Sequence, residues 1–346
     1  MMLHPSPSPP PFDAPHRREA GGAPPLCMSI AHDADEHARN LHGWHQTYDQ
    51  LSAGRFTGTL VELFLDRMTV FRETTSHTLR QSCEVKSDAY WFGIPVCEAG
   101  AGRIDGQPIG EDALALRPGG VEFELFTPAH HEFFGIVVKG EVLRRYAAEV
   151  EHLGLGQPLP GASVVPIGSA RKARLVASLR AILDESARRG APPSPFLRNQ
   201  LQSSVLAALF DLCVAPQRTD SESIRASTYR RRLALVMDAR DYAIAHRDRP
   251  IGVPELCEHL HVSRRTLQYC FQDVAGLAPA AYLRALRLNG ARRDLTGAAQ
   301  AAPHAASVQD IATAWGFWHF SQFSADYRRL FGVRPSDSLK HANPPV

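Results

Sequence analysis

The stretch WGFWHFSQFSADYRRLFGVRPS, residues 315–336, places seven of the chain's 28 aromatic residues in 22 positions and closes on a glycine and a proline. Its meaning depends on an earlier stretch, VPELCEHLHVSRRTLQYCFQ at 253–272, which carries the same pattern as VQDIATAWGFWHFSQFSADYRR at 308–329. Each copy opens with a short apolar helix, in which Leu256, Cys257 and Leu260 match Ile311, Ala312 and Trp315. Each turns sharply, at His261-Val262 or Gly316-Phe317, and resumes as a second helix with an apolar i, i+4 pair, Leu267 and Phe271 or Phe323 and Tyr327. A small residue on the first helix, a tight turn and such a pair on the second are what two helices need to cross steeply around one core. The spacing therefore predicts two helix-turn-helix units. Phe317, Phe323, Tyr327 and Phe331 become core residues rather than an aromatic ligand box, and Gly332 with Pro335 beyond it supplies a helix stop.

Two flanking segments complete the unit. YRRRLALVMDARDYAIAHRD, 229–248, reads as an amphipathic leading helix, and APAAYLRALRLNGARRDLTG, 278–297, connects the copies with Arg284, Arg287, Arg292 and Arg293 on its polar side, near DNA phosphates. The charge agrees with this division. Residues 229–346 hold 16 Lys+Arg against 10 Asp+Glu, an excess of +6, whereas the whole chain is only +2 and the remainder −4. A polyanionic partner for the C-terminal part follows from that asymmetry.

The 346-residue chain has room for two domains. Residues 1–40, opening with a Pro-rich run, are expected to be a disordered tail, because such composition cannot bury enough apolar surface to offset the entropy of ordering. From Gly54 to about Gly140 short Val-, Ile- and Phe-rich runs alternate with Gly/Pro turns, which predicts an antiparallel β-barrel. Between Arg171 and Ala215 the apolar period becomes helical, a hairpin that packs on the barrel or pairs with a second copy. The expected organisation is a tail at 1–40, a barrel domain with its helical hairpin at 41–214, a linker at 215–228 and the helix-turn-helix domain at 229–346, an α+β chain overall. The six cysteines form no C-x-x-C pair and no apolar run is long enough for a membrane span, so a cytoplasmic location with free thiols is expected.

The two units, their connecting helix and the closing signature GFWHFSQFSADYRRLFGVRPS resemble the DNA-binding domain of AraC/XylS-type transcriptional regulators over about residues 229–340. Within that family LHVSRRTLQYCF, LRALRLNGARRDL and WGFWHFSQFSADYRRLF are most similar to regulators of ethanolamine-utilisation operons. The resemblance implies a double-stranded DNA partner, recruitment of RNA polymerase, and a cupin-like N-terminal barrel that binds a small-molecule effector or dimerises. Ethanolamine and adenosylcobalamin are the inducers of the narrower group, but a D-x-H-x-x-G cobalamin motif is missing from the sequence, and no cofactor is expected.

By the same resemblance Ser263 caps the first recognition helix, Arg265, Gln268 and Tyr269 face the bases, and Arg264 and Gln272 face phosphates. Arg suits guanine O6/N7 and Gln suits adenine N6/N7. In the second unit His319 stands where a capping Ser is common, and Ser321, Ser324 and Ala325 occupy the base-facing positions; Arg284, Arg287, His319 and Arg328 join the expected backbone contacts. These short side chains leave most sequence reading to the first helix. His77, Trp91, Phe123, Phe126, His130 and His131 are candidates for an effector pocket. No metal centre is expected, because adjacent His130 and His131 on a strand would point to opposite faces. Two other classes were weighed: an enzyme fused to a DNA-binding domain, either a cupin metalloenzyme or a DNA-repair methyltransferase, and a protein-binding module. The first lacks a recognisable His/carboxylate triad or reactive-Cys site, and the basic face around Arg264 and Arg265 speaks against the second. The expectation is a non-enzymatic regulator.

Overall fold

The computed structural model describes residues 26–96, 102–150, 164–189, 193–213, 220–301 and 307–340. Strand β1 (Leu26–Ala31), helix α1 (Ala34–Asn40) and strand β2 (Trp44–Gln50) open it. This corrects the expected tail: residues 26–40 are ordered, β1 pairing along its whole length with β3 (Gly58–Leu65). Low-complexity composition ends before Leu26, and the small residues Ala31, Ala34 and Ala38, inconspicuous in the sequence, close-pack beside Phe56 and Leu60. Residues 1–25 lie outside the described residues.

Nine further strands follow: β4 (Met68–Thr75), β5 (Leu79–Val85), β6 (Ala89–Pro95), β7 (Arg103–Ile104), β8 (Gln107–Pro108), β9 (Ala113–Pro118), β10 (Glu122–Thr127), β11 (His131–Lys139) and β12 (Val164–Pro166). They form two antiparallel sheets, a seven-stranded one in the order β1-β3-β4-β11-β6-β9-β12 and a five-stranded one in the order β2-β5-β10-β7-β8. The barrel is thus two sheets around a shared interior rather than one closed cylinder. Period-2 alternation sends Trp91 to the inter-sheet core and Phe92 and Ile94 to the opposite face. That opposite face is covered by α2 (Gly140–Glu149), α3 (Ser169–Arg189) and α4 (Pro195–Cys213), through Leu175, Leu179, Leu183, Leu206 and Phe210. Both faces are buried along much of β6, β9 and β11, which is why those strands read as nearly continuous apolar runs.

Helix α5 (Asp220–Ala245) begins inside the stretch expected to be a linker, so residues 220–228 are helical, while 214–219 lie outside the described residues. A long helix tolerates the polar run because its apolar residues lie further along, at Leu233, Val236, Ala239 and Ala243. Then come α6 (Val253–His259), α7 (Arg264–Ala275), α8 (Pro279–Ala301), α9 (Val308–Ala314), α10 (Phe320–Phe331) and α11 (Pro335–Lys340). One core joins Leu256, Leu267 and Phe271 to Ile311, Trp315, Phe323, Tyr327 and Phe331, and it also takes in Leu51 and Phe126 from the β domain. The opening aromatics are thus mostly structural, with Trp318 and Phe320 left outside.

Trp315 lies flat against α8 at Gly290, and its Nε1 donates to Asp294 at 2.7 Å. A Cβ at residue 290 would lie 2.1–2.4 Å from three carbons of the indole ring, well inside van der Waals contact. Gly290→Ala should therefore cost about 1–3 kcal/mol through overpacking, although alanine is intrinsically the better helix former. Denaturant unfolding followed by tryptophan fluorescence reads this directly; an unchanged or higher midpoint would contradict the close approach.

Candidate nucleic-acid interface

The first unit turns at His261, a non-glycine residue at φ 52°, and restarts at Ser263, whose Oγ accepts from the Thr266 amide at 3.1 Å. Leu267, Cys270, Phe271 and Val274 face the core, leaving Arg264, Arg265, Gln268, Tyr269 and Gln272 exposed on one side of α7. Neither Arg264 nor Arg265 makes an ion pair among the described residues. Tyr269 is 54% exposed, and the Arg232 guanidinium lies 4.8 Å from its ring centroid while donating to Asp273 at 2.9 Å. The helix ends at Gly276, φ 69°.

In the second unit Gly316 takes the corresponding turn at φ 73°. Ser307 and Asp310 form a capping box on α9, whereas α10 starts at His319 without a side-chain cap. Ser321, Ser324, Ala325 and Arg328 are exposed on α10. Ser324, Ala325 and Arg328 line a cleft of about 470 Å3 with Val308, Gln309, Phe320 and Arg334. The outward face thus offers short serine and alanine side chains with Arg328 and Arg334 in the lining, against arginine, glutamine and tyrosine in the first unit.

The arginines of α8 behave differently from expectation. Arg284 is exposed, 3.6 Å from Asp326. Arg287 is only 9% exposed and donates to the Arg249 carbonyl at 2.6 Å, so its expected place on the outer, phosphate-facing side is corrected. Arg292 pairs with Asp33, and Arg293 with Asp49 at 2.8 Å and Asp35 at 3.5 Å. The polar side of α8 faces the β domain there, not solvent.

Those pairs belong to a docking surface that sequence reasoning missed. Asp49, 2% exposed, also accepts from Arg80 at 3.0 Å, and Arg80 in turn pairs with Glu124. The result is an alternating row, Glu124–Arg80–Asp49–Arg293–Asp35, crossing from the five-stranded sheet to α8 and α1. Burial raises the Asp49 carboxyl, but Arg293 and Arg80 outweigh it and hold the group below the usual range. Beside this row Asn289 reproduces a β-pairing: its Oδ1 accepts from the Gln50 amide and its Nδ2 donates to the Gln50 carbonyl, both at 2.9 Å. Gln50 Nε2 and the Gly54 amide donate to the Leu330 carbonyl at 2.7 and 3.0 Å, satisfying an orphan acceptor in the last turn of α10.

Between the two sheets lies a small cavity, about 20 Å3 and so room for about one water, lined by Tyr48, Glu73, Thr75, Gln81, Trp91, Thr127, His131 and Phe133 among others. Tyr48 Oη donates to Glu73 Oε1 at 3.0 Å, and His37 Nε2 stands 3.0 Å from the same oxygen. Thr75 Oγ1 and Trp91 Nε1 are buried without a hydrogen-bond partner among the described residues. Burial lowers the His131 imidazole to about 4, against an opposing pull from Glu73. Of the pocket candidates, Trp91 and His131 line this cavity, and Phe123 stacks on Trp91 at 5.0 Å. Phe126 instead packs into the helical core, His130 sits on an exposed turn at φ 55°, and His77 hydrogen-bonds Ser76 beside Gly54.

Residues 256–341 match a family described as a helix-turn-helix domain. The chain is 38% identical over 119 residues to the "probable thc operon regulatory protein" of Rhodococcus erythropolis, covering 34% of this chain and 35% of that one. It is 33% identical over 98 residues to the "XylDLEGF operon transcriptional activator" of Pseudomonas putida, covering 28% and 30%. The match thus spans about a third of the length of these curated relatives. Among solved structures, a "probable AraC family transcriptional regulator" from Rhodopseudomonas palustris CGA009 is 32% identical, covering 32% of this chain and 99% of that one at a TM-score of 0.28.

Asp35 gives the docking surface a pH signature. Burial, helped by Asp33 and Asp49 and opposed chiefly by Arg293, pushes its carboxyl up from 3.8 to about 6. A carboxyl raised in the folded state holds its proton there while the unfolded chain has lost it, so this group's contribution falls as pH rises from about 4 to 6 and stays low above. The shift corresponds to about 3 kcal/mol at most. Asp35→Asn should flatten the decline between pH 4 and 6 and raise stability at pH 7; urea titrations across that range test it, and a steeper decline in the variant would be contrary.

Proposed function

We propose that this chain, whose C-terminal domain is of the AraC/XylS helix-turn-helix type, is a sequence-specific transcriptional regulator working in the cytoplasm, an activator of a catabolic or transport operon that responds to a small molecule. One observation carries the DNA-binding reading: α7 presents Arg264, Arg265, Gln268 and Gln272 on a solvent-facing side, with both arginines free of ion pairs among the described residues. Such a side, on the second helix of a capped helix-turn-helix, has the size and donors to enter a major groove. Arg265 and Gln268 then read bases, Tyr269 packs beside them, and Arg264 and Gln272 hold phosphates. On α10 Ser321, Ser324 and Ala325 lie against the second groove and contribute little bidentate bonding, with Arg328, His319 and Arg284 on the backbone. Arg287 takes no part while it is bound to Arg249.

The effector enters between the sheets. Three consecutive residues of β2 link that space to the DNA-binding domain: Tyr48 touches Glu73 in the cavity, Asp49 binds Arg293, and Gln50 binds Asn289 and the end of α10. An effector that displaces Tyr48 shifts α8 and α10 with it. RNA polymerase is the partner through which activation proceeds. The helical hairpin α3–α4 is the candidate dimer contact, a second copy doubling the number of half-sites engaged.

A base-by-base binding scan separates the two recognition helices. Arg265→Ala should relax preference at one position by about 1–3 kcal/mol, and Gln268→Ala at a neighbouring one. Ser324→Ala should change preference far less. Equal losses from Ser324→Ala and Arg265→Ala would reject the asymmetry. A genome-wide binding map in the native host, with the Arg265→Ala, Gln268→Ala double variant as control, tests the function itself: sharp sites lost in the variant support it, and diffuse binding unaffected by the changes refutes it.

A further inference from the structure

A second cluster of ligating side chains, unconnected with the cavity, lies at the far edge of the larger sheet. Cys27 on β1 stands directly opposite Glu62 on β3. His42, two residues past the end of α1, donates its backbone amide to Glu62 Oε1 at 3.1 Å and places Nδ1 2.6 Å from Oε2. One ligand atom from each of the three residues falls within 4.8 Å of the others. The Glu62 carboxylate is 1% exposed, while the His42 side chain is 57% exposed and Cys27 half-buried, so the cluster is anchored in the protein and open on one side.

The arrangement is costly without a cation. A carboxylate taken out of water loses several kcal/mol of solvation, recovered only if a positive partner is close. Both hydrogen bonds recorded for Glu62 come from His42, and a neutral imidazole supplies no full charge. Thiolate sulfur, imidazole nitrogen and carboxylate oxygen are together the donors of a tetrahedral site for a borderline-soft divalent ion, and three protein donors leave one position for water.

We infer that Cys27 Sγ, His42 Nδ1 and a Glu62 oxygen bind a divalent transition-metal ion of the zinc class, with the fourth position open to solvent. On binding, the Cys27 thiol proton leaves to solvent and the ring proton of neutral His42 that faced Glu62 at Nδ1 is carried at Nε2 instead, so that the metal takes its place between Nδ1 and the Glu62 carboxylate. With bonds of about 2.0–2.2 Å to nitrogen and oxygen and about 2.3 Å to sulfur, the His42–Glu62 pair opens slightly and Cys27 draws in. Exposed His42 provides the way in. The site has a mechanical consequence. Cys27 precedes and His42 follows α1, the helix whose Asp33 and Asp35 hold Arg292 and Arg293, so the ion staples both ends of the segment on which the DNA-binding domain docks.

The test uses the full-length, reduced, metal-free protein titrated with Co²⁺ as a spectroscopic substitute and with Zn²⁺ in competition. The expected result is one ion per chain, a thiolate-to-cobalt charge-transfer band, visible bands of tetrahedral intensity, and displacement by Zn²⁺. Cys27→Ser should abolish the charge-transfer band, and His42→Ala should weaken binding by at least the ~10–100-fold typical of losing even an outer partner. Cys27 is half-buried, so the serine variant keeps the fold, and circular dichroism checks it. Zn²⁺ should also protect Cys27, but not Cys257, from alkylation as read by peptide mass spectrometry. No charge-transfer band, a band that survives Cys27→Ser, or equal alkylation with and without Zn²⁺ overturns the site. None of these readouts involves DNA, so their outcome is separate from that of the regulator reading.

Discussion

Asp49 is a single buried carboxylate gripped by two guanidiniums, Arg80 within the β domain and Arg293 on α8. One negative charge cannot neutralise two positive ones, which is why the row extends to Glu124 at one end and Asp35 at the other. Removing Asp49 or Arg80, the two members with almost no exposure, typically costs about 3–5 kcal/mol, because the charge left behind has neither water nor partner, whereas Asp35 at the end of the row is held with its carboxyl raised by burial. The row is thus strongly directional. It sets where α8 sits against the sheet more tightly than the apolar contacts of Leu51 and Phe126 could, since apolar surfaces slide at little cost whereas opposed charges do not.

The charge row and the hydrogen bonds beside it join the inter-sheet cavity to the helical domain through three consecutive residues of β2. Ligands move a two-state equilibrium only by binding its states unequally. In the described arrangement the inter-sheet cavity holds about one water, too little for an organic effector. A bound effector therefore requires the sheets to part or Tyr48, Trp91 or Phe133 to swing away, and Tyr48 sits one residue from Asp49 on the same strand. If an effector enters there as proposed, the docked state and the ligand-filled state would oppose one another, which is the differential affinity that a switch needs.

How much of this was legible in the sequence follows from the range of the signals. The helix-turn-helix repeat was readable because its cues are local: the i, i+4 pairs, the turn at His261 or Gly316 and the cap at Ser263 all lie within one or two helical turns, and the structure has each of them. The β texture gave the class of the first domain but not its pairing. Asp33, Asp35, Asp49 and Arg80 carried no signal in the sequence because burial of a charge depends on partners as far as 259 residues away in the chain. The same blindness turned Arg287, Arg292 and Arg293 outward on a helical wheel, when the polar side of α8 is polar in order to meet carboxylates and carbonyls. Residues 26–40 were lost to an argument from the Pro-rich composition of the preceding stretch, since alanines that pack tightly carry no periodic signature. Cys27, His42 and Glu62 form no motif for a related reason: strand pairing, not sequence spacing, puts them together.

The two recognition helices differ in what holds their ends, and this bears on what an effector can change. The last turn of α7 is closed by its own residues, the Gly276 amide bonding the Gln272 carbonyl and the Gln272 side chain returning to the Gly276 carbonyl. The last turn of α10 is held partly by the β domain, through Gln50 and Gly54 on the Leu330 carbonyl. Movement of β2 therefore acts first on α10, the helix with serines and an alanine where α7 has arginine, glutamine and tyrosine. On the proposed reading, a signal delivered there would alter how well the second unit seats on the backbone without altering which bases the first unit reads. Recognition and regulation would then be divided between the two copies of one motif, with an effector tuning affinity and sequence preference left to α7.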